Sequence, residues 1–198
     1  MSRVLSWITR ALHLGISIII TLQLLVSTFM ALPRPGHLTP LRASVGFDLH
    51  ELVGIFSLPV LLLWFAWLFV RRDEAGPGEL FPWFRQSALA VWYGSLRYSL
   101  RAWKLGKLAD TEHNQRVAQS VHGLGALCGL GMASSGLLVW LGLSPQGHLT
   151  EWAQISLSAH RFLANLMWAY WGGHVAMAIW HQWQGDSKLK NMFHLRRI

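Results

Sequence analysis

The stretch SAHRFLANLMWAYWGGHVAMAIWHQW, residues 158–183, is apolar enough to cross a membrane, and it carries His160, His174 and His181. An imidazole in hydrocarbon is costly unless something compensates it. Between His160 and His174 an α-helix rises about 21 Å and makes close to four whole turns. Both side chains therefore leave the same face, at two depths. One metal ion cannot bind both, but two centres at two depths can, and each then needs a second ligand from another segment. His13 in RALHLGISII and His50 in FDLHELVGIF stand in two further apolar stretches.

The elements that must position these residues are legible in the composition. Of 198 residues, 53% are hydrophobic and only 13% charged, against about 25% charged in a soluble domain. The mean hydropathy is +0.33. An all-α integral membrane protein of one domain, residues 1–198, is expected. Four apolar spans are read at about 4–31, 50–70, 117–142 and 156–182, each near the ~20 residues a crossing requires. The first lacks a small-x-small cleavage site and outruns a signal-peptide core, so it is read as a retained span. Cys128 is alone. It excludes an internal disulfide and covalent haem attachment through C-x-x-C-H, and reads as a small packing residue.

The net charge of +8 invites a nucleic-acid reading until the charges are placed. Arg3 and Arg10 precede or open the first span. Arg71, Arg72, Arg85, Arg97, Arg101, Lys104, Lys107 and Arg116 lie between the second and third, and Lys188, Lys190, Arg196 and Arg197 follow the fourth. Only Arg34, Arg42 and Arg161 fall on the other side. The positive-inside rule then sets both termini in the cytoplasm, and the basic balance reports topology and anionic lipid, not nucleic acid. The expected architecture is an up-down-up-down four-helix bundle. Its long cytoplasmic connection, 71–116, holds a basic and aromatic helix, with Arg97, Arg101 and Lys104 on one face and Trp92, Leu96, Leu100 and Trp103 on its neighbour. Such a helix suits the membrane interface or a docking redox partner.

This topology was reached without the histidines, and it gives them matching depths. Spans two and four both enter from outside, which pairs His50 with His160; span one enters from the cytoplasm, which pairs His13 with His174. Zinc or copper wants three or four protein ligands, whereas only two stand at each level. Haem iron already has four porphyrin nitrogens and accepts two axial ligands, so two b-type haems fit the count. Gly15, Gly54, Gly172 and Gly173 flank the ligands, and Gly123, Gly125, Gly129, Gly131 and Gly136 mark span three. They suit close helix packing or clearance for porphyrin.

With His13, His50, the H-x13-H spacing and the ending GGHVAMAIWHQWQGDSKLKNMF, the chain resembles the bacterial cytochrome b561 family and its relatives, the cytochrome b subunits of membrane formate dehydrogenases and nickel–iron hydrogenases. The resemblance covers all four spans. It implies a di-haem carrier in the bacterial inner membrane, passing electrons between membrane quinone and a redox partner, either as the anchor of a larger complex or alone. Some b561-like proteins act alone as superoxide:quinone oxidoreductases. A haem-free transporter or structural bundle is the rival class, but the spans hold almost no carboxylates, with Glu51 at an edge.

Secondary candidates follow. Arg10 and Arg161, beside His13 and His160, suit haem propionates or snorkel to the interface. Asn114, Gln119, His122 and His181 gather at the cytoplasmic level and suit a quinone carbonyl. Relatives resembling formate dehydrogenase begin this span with an Asn and a Gln three residues on, whereas here Val117 is three after Asn114. His37, His113, His148 and His194 receive no role. Of twelve tryptophans, Trp83, Trp92, Trp152, Trp180 and Trp183 suit an interfacial belt, and Trp64, Trp67, Trp140, Trp168 and Trp171 are expected to face lipid or haem edges.

Overall fold

The structure, a computed structural model, describes residues 5–38, 40–72, 74–107 and 111–185. Arg3, Lys188, Lys190, Met192, His194, Arg196 and Arg197 lie outside the described residues. Six α-helices form: α1 Trp7–Ser27, α2 Leu41–Val70, α3 Pro77–Leu80, α4 Gln86–Lys104, α5 Thr111–Leu141 and α6 Glu151–Trp183. A 3₁₀ turn, Pro82–Phe84, precedes α4. Among the described residues, three helical segments are long and apolar enough to cross a membrane by length and composition: Trp7–Ser27, Leu41–Val70 and Glu112–Leu141. The fourth expected span, α6, is longer than any of these, but His160, Arg161, Asn165, His174 and the Gly172–Gly173 pair dilute its hydropathy.

Ser6 caps α1: its hydroxyl accepts from the Thr9 amide, 3.2 Å away, which satisfies one of the helix's orphan donors. Three helices begin earlier than the hydropathy suggests. α2 starts at Leu41, where the amides of Ala43 and Ser44 bond the Pro40 oxygen, and it continues through Pro59. α5 starts at Thr111 and α6 at Glu151. Hydropathy ends where polar residues begin, whereas backbone hydrogen bonding persists until a breaker. Arg42 and Asp48 do not stop α2, and an Arg116–Glu112 pair at 2.6 Å lies along the first turns of α5.

The chain divides into two compact units, each containing parts of the long helices. The first holds the described residues of Met1–Arg10, Phe65–Leu127 and Gly173–Ile198. Here the connection between α2 and α5 folds back onto the helices. The Leu80 backbone at the end of α3 rests on Gly123 of α5, where any side chain would collide with the Leu80 oxygen. The inner face of α4 is anchored by Trp92, whose Nε1 donates to Ser120 Oγ at 2.7 Å, and by Trp103, which meets Trp180 edge to face. Arg97, Arg101 and Lys104 are exposed. In this unit α6 runs antiparallel to α5, since Asn114 neighbours His181 and His122 neighbours His174.

A buried polar tether closes the same unit. Glu74 accepts hydrogen bonds from the Ser6 amide at 2.7 Å and the Thr9 hydroxyl at 2.6 Å. Arg71 Nη1 lies 3.1 Å from Glu74 Oε2, and both side chains are almost fully buried. Trp67 Nε1 adds a bond to Thr9 Oγ1 at 2.8 Å. Burial works to raise the Glu74 carboxyl, but the bonds from Thr9 and Ser6 and the charge of Arg71 outweigh it and hold the group below its ordinary value. Burial also lowers the Arg71 guanidinium, a shift that Glu74 partly offsets.

The second unit comprises Ala11–Trp64 and Cys128–Gly172. Leu24, Val26, Leu61, Trp64, Ala133, Val139, Ala153 and Met167 are its buried apolar residues. Cross-helix bonds fix its register: Gln23 Nε2 to the His50 oxygen at 2.9 Å, Trp171 Nε1 to Thr21 Oγ1 at 3.0 Å, and Trp140 Nε1 to Glu51 Oε1 at 2.8 Å. Trp67, Trp140 and Trp171 thus act as cross-helix donors. An indole N–H in an apolar medium needs an acceptor, and a neighbouring helix supplies one.

Candidate functional site

His160 projects from α6 against α5. Its Nδ1 lies 3.0 Å from the Met132 main-chain oxygen and 3.0 Å from Ser135 Oγ. A carbonyl only accepts, so Nδ1 carries the proton. The Ser135 hydroxyl donates to the Gly131 oxygen at 2.7 Å, which leaves its lone pairs toward the imidazole. Nε2 then keeps its lone pair, the state in which imidazole ligates a metal, and the bond at the other nitrogen fixes tautomer and ring orientation. Gly136 makes room: a Cβ there would stand 3.1 Å from His160 Cε1.

His50 comes from α2, its main chain pinned by Gln23. Its ring centre lies 6.1 Å from that of His160, with the planes at 90°. Among the described residues, His50 Nδ1 is buried without a hydrogen-bond partner. An unsatisfied buried nitrogen is costly and marks a ring poised for something other than protein. A metal bond of about 2 Å on each side, plus the nitrogen-to-centre distance, sets two axial imidazoles roughly 6 Å apart. The observed separation is of that size, so this pair fits an axially ligated iron.

In the first unit, His122 and His174 face each other with ring centres 5.0 Å apart and planes at 86°. His122 Nδ1 lies 2.6 Å from the Ala118 oxygen, so that nitrogen donates and Nε2 holds the lone pair. His13 belongs to the second unit, where Ser17 Oγ lies 3.5 Å from its Nδ1 and donates to its main-chain oxygen at 2.7 Å. Gly15, Gly172 and Gly173 face open space, whereas Gly131 and Gly136 abut Leu163 and His160. Packing explains the second group of glycines.

Arg10 is half-buried and Arg161 exposed. Asn114 is buried, its Nδ2 3.5 Å from His181 Nε2. Gln119 instead lines a groove of about 660 Å³ with Trp92, Arg85 and Arg116. The structure therefore joins Asn114 to His181, sets His122 against His174 and gives Gln119 separate surroundings. Met132, Ser135 and Gly136 were not singled out in the sequence as partners of His160. Only an assumed antiparallel register between spans three and four could have found them.

Long apolar helices carrying an opposed pair of imidazoles, one with its outer nitrogen anchored, are compatible with a membrane protein of the b-type cytochrome class. The sequence model described as prokaryotic cytochrome b561 matches residues 4–195, and the chain belongs to that family. Transmembrane electron transfer with b-type haem comes with membership, as does a bacterial membrane setting. Comparison with curated proteins gives no match, nor does comparison with solved structures.

Proposed function

We propose that this protein holds two b-type haems and carries electrons between membrane quinone and a redox partner, with α1, α2, α5 and α6 crossing the membrane and both termini in the cytoplasm. His50 and His160 are the axial ligands of one haem, and His13 and His174 those of the other. The observation that carries the reading is the His50–His160 pair, opposed at 6.1 Å with the outer nitrogen of His160 anchored on Met132. The second pair rests on the H-x13-H spacing of α6 and the depth of His13 in the first span.

Each haem supplies a one-electron couple when bound. The chain's part is to hold the ligand imidazoles in the neutral tautomer, exclude water with apolar helices and meet the propionates with Arg10 and Arg161. Quinone is contacted by Asn114 and His181, while Gln119, in its separate groove, takes no part. The closeness of Asn114 Nδ2 and His181 Nε2 supports this, because the two could share a carbonyl oxygen. The basic connection 71–116 offers a redox subunit a docking face.

The test is a reduced-minus-oxidised optical spectrum of the detergent-purified protein with haem counted per chain, for the wild type and for alanine variants of the four histidines. Two low-spin haems are expected, with each substitution removing or altering one. A colourless protein, or one indifferent to all four changes, would overturn the reading.

A further inference from the structure

We infer that His122 is the positioning residue of His174: it accepts a hydrogen bond from the outer nitrogen of that ligand and so sets the ring's orientation and basicity. The inference rests on the ligand role proposed for His174 and goes beyond it.

Two observations carry it. First, the His122 ring is itself fixed. Its Nδ1 donates to the Ala118 oxygen four residues back on the same helix, at 2.6 Å. A neutral imidazole that donates through one nitrogen can only accept through the other. Second, the ring of His174 lies 5.0 Å away and almost perpendicular. That separation and angle let the edge nitrogen of one ring meet the edge of the other.

The second unit shows the same division of labour. There α5 supplies Met132 and Ser135 to the outer nitrogen of His160, a ligand on α6. In the first unit α5 supplies His122 to a ligand on α6. The acceptor differs. Where one ligand meets a main-chain oxygen and a hydroxyl, the other meets an imidazole nitrogen, which is the more basic acceptor. Partners of this kind raise ligand basicity and hold ring orientation. A more electron-donating imidazole favours the oxidised iron, so the two haems are given different environments by the residues behind their ligands. Both nitrogens of His122 are spent in this role, which takes it out of the quinone-contacting set.

The experiment compares His122→Leu, which has no acceptor, with His122→Gln, whose amide oxygen can accept. His122→Ala stands in if the leucine variant does not accumulate. Each protein is loaded with haem, then read by potentiometric titration and by electron paramagnetic resonance of the oxidised state. One haem of the Leu or Ala variant should titrate at higher potential, with its reduced-to-oxidised ratio several-fold greater at the wild-type midpoint and its g-values displaced. The other haem should be unmoved, and His122→Gln should restore most of the shift. Two unmoved haems, or two haems shifted alike, would overturn the assignment. A His174→Ala protein with two unaltered haems removes the ligand reading, and this inference with it. An altered His174→Ala beside an unaltered His122→Leu overturns this inference alone.

Discussion

His160 turns its Nδ1 to the main-chain oxygen of Met132, 3.0 Å away, and this contact fixes which nitrogen of the imidazole remains available. Because the acceptor is backbone, no side-chain substitution removes it. Ser135 is the replaceable half of the arrangement, and Gly136 is the space that lets the ring approach.

Ser135→Ala should therefore be mild, costing about 1 kcal/mol and leaving the haem content unchanged. Gly136→Ala should be harsher, because the added Cβ would lie 3.1 Å from His160 Cε1 and 3.4 Å from Nδ1. It is expected to weaken haem retention by about tenfold or more. Haem per chain, measured during competition with an apo-haem-binding protein, checks the order; equal loss from the two variants would contradict it.

Glu74→Gln should destabilise the protein by about 2–3 kcal/mol, because it leaves the Arg71 charge buried without its carboxylate. Thermal unfolding in detergent reads this, and a variant as stable as the wild type would show that the tether contributes nothing.

The pH dependence of the same tether has a defined sign. The Glu74 carboxyl sits below its ordinary 4.5 because hydrogen bonds from Thr9 and Ser6 and the charge of Arg71 outweigh the effect of burial. Its contribution is full above the unfolded value and is lost as pH falls through the depressed folded value. Acidification below the ordinary value of 4.5 should lower the wild-type Tm, and Glu74→Gln should lack that part of the fall. Parallel pH curves for the two proteins would contradict this.

Thr9→Val removes the hydroxyl that bridges Trp67 and Glu74. Its cost should be roughly 1–2 kcal/mol. Combined with Glu74→Gln, the loss should be smaller than the sum, since neighbours in one network couple. Strict additivity in a double-mutant cycle would break the network into unrelated contacts.

Gly123→Ala should cost about 1–3 kcal/mol by overpacking, because its Cβ collides with the Leu80 main chain, which cannot rotate away. Gly173→Ala, where the added Cβ meets nothing within 4 Å, should be nearly neutral. Comparable losses of Tm in the two variants would contradict the distinction between packed and open glycines.

Much of this protein was legible from local pattern. The four apolar stretches correspond to α1, α2, α5 and α6, because a long apolar run has few side-chain partners for its backbone polar groups and a helix satisfies them internally. The family was equally readable from His13, His50 and the spacing of His160 and His174. The helix starts were missed at Leu41, Thr111 and Glu151, since hydropathy reports where apolar residues begin and not where backbone hydrogen bonding does.

By itself, then, the sequence determined which residues could ligate iron and that His160 and His174 share a face of α6, because helical periodicity is a property of neighbours along one chain. Only the tertiary structure decided that Met132 and Ser135 stand behind His160, that His122 faces His174 and that Glu74 is buried on Ser6, Thr9 and Arg71. Apart from Arg71, three residues before Glu74, those partners lie tens of residues away, and the register that brings them together is set by packing between helices. No periodicity within a single segment encodes that register.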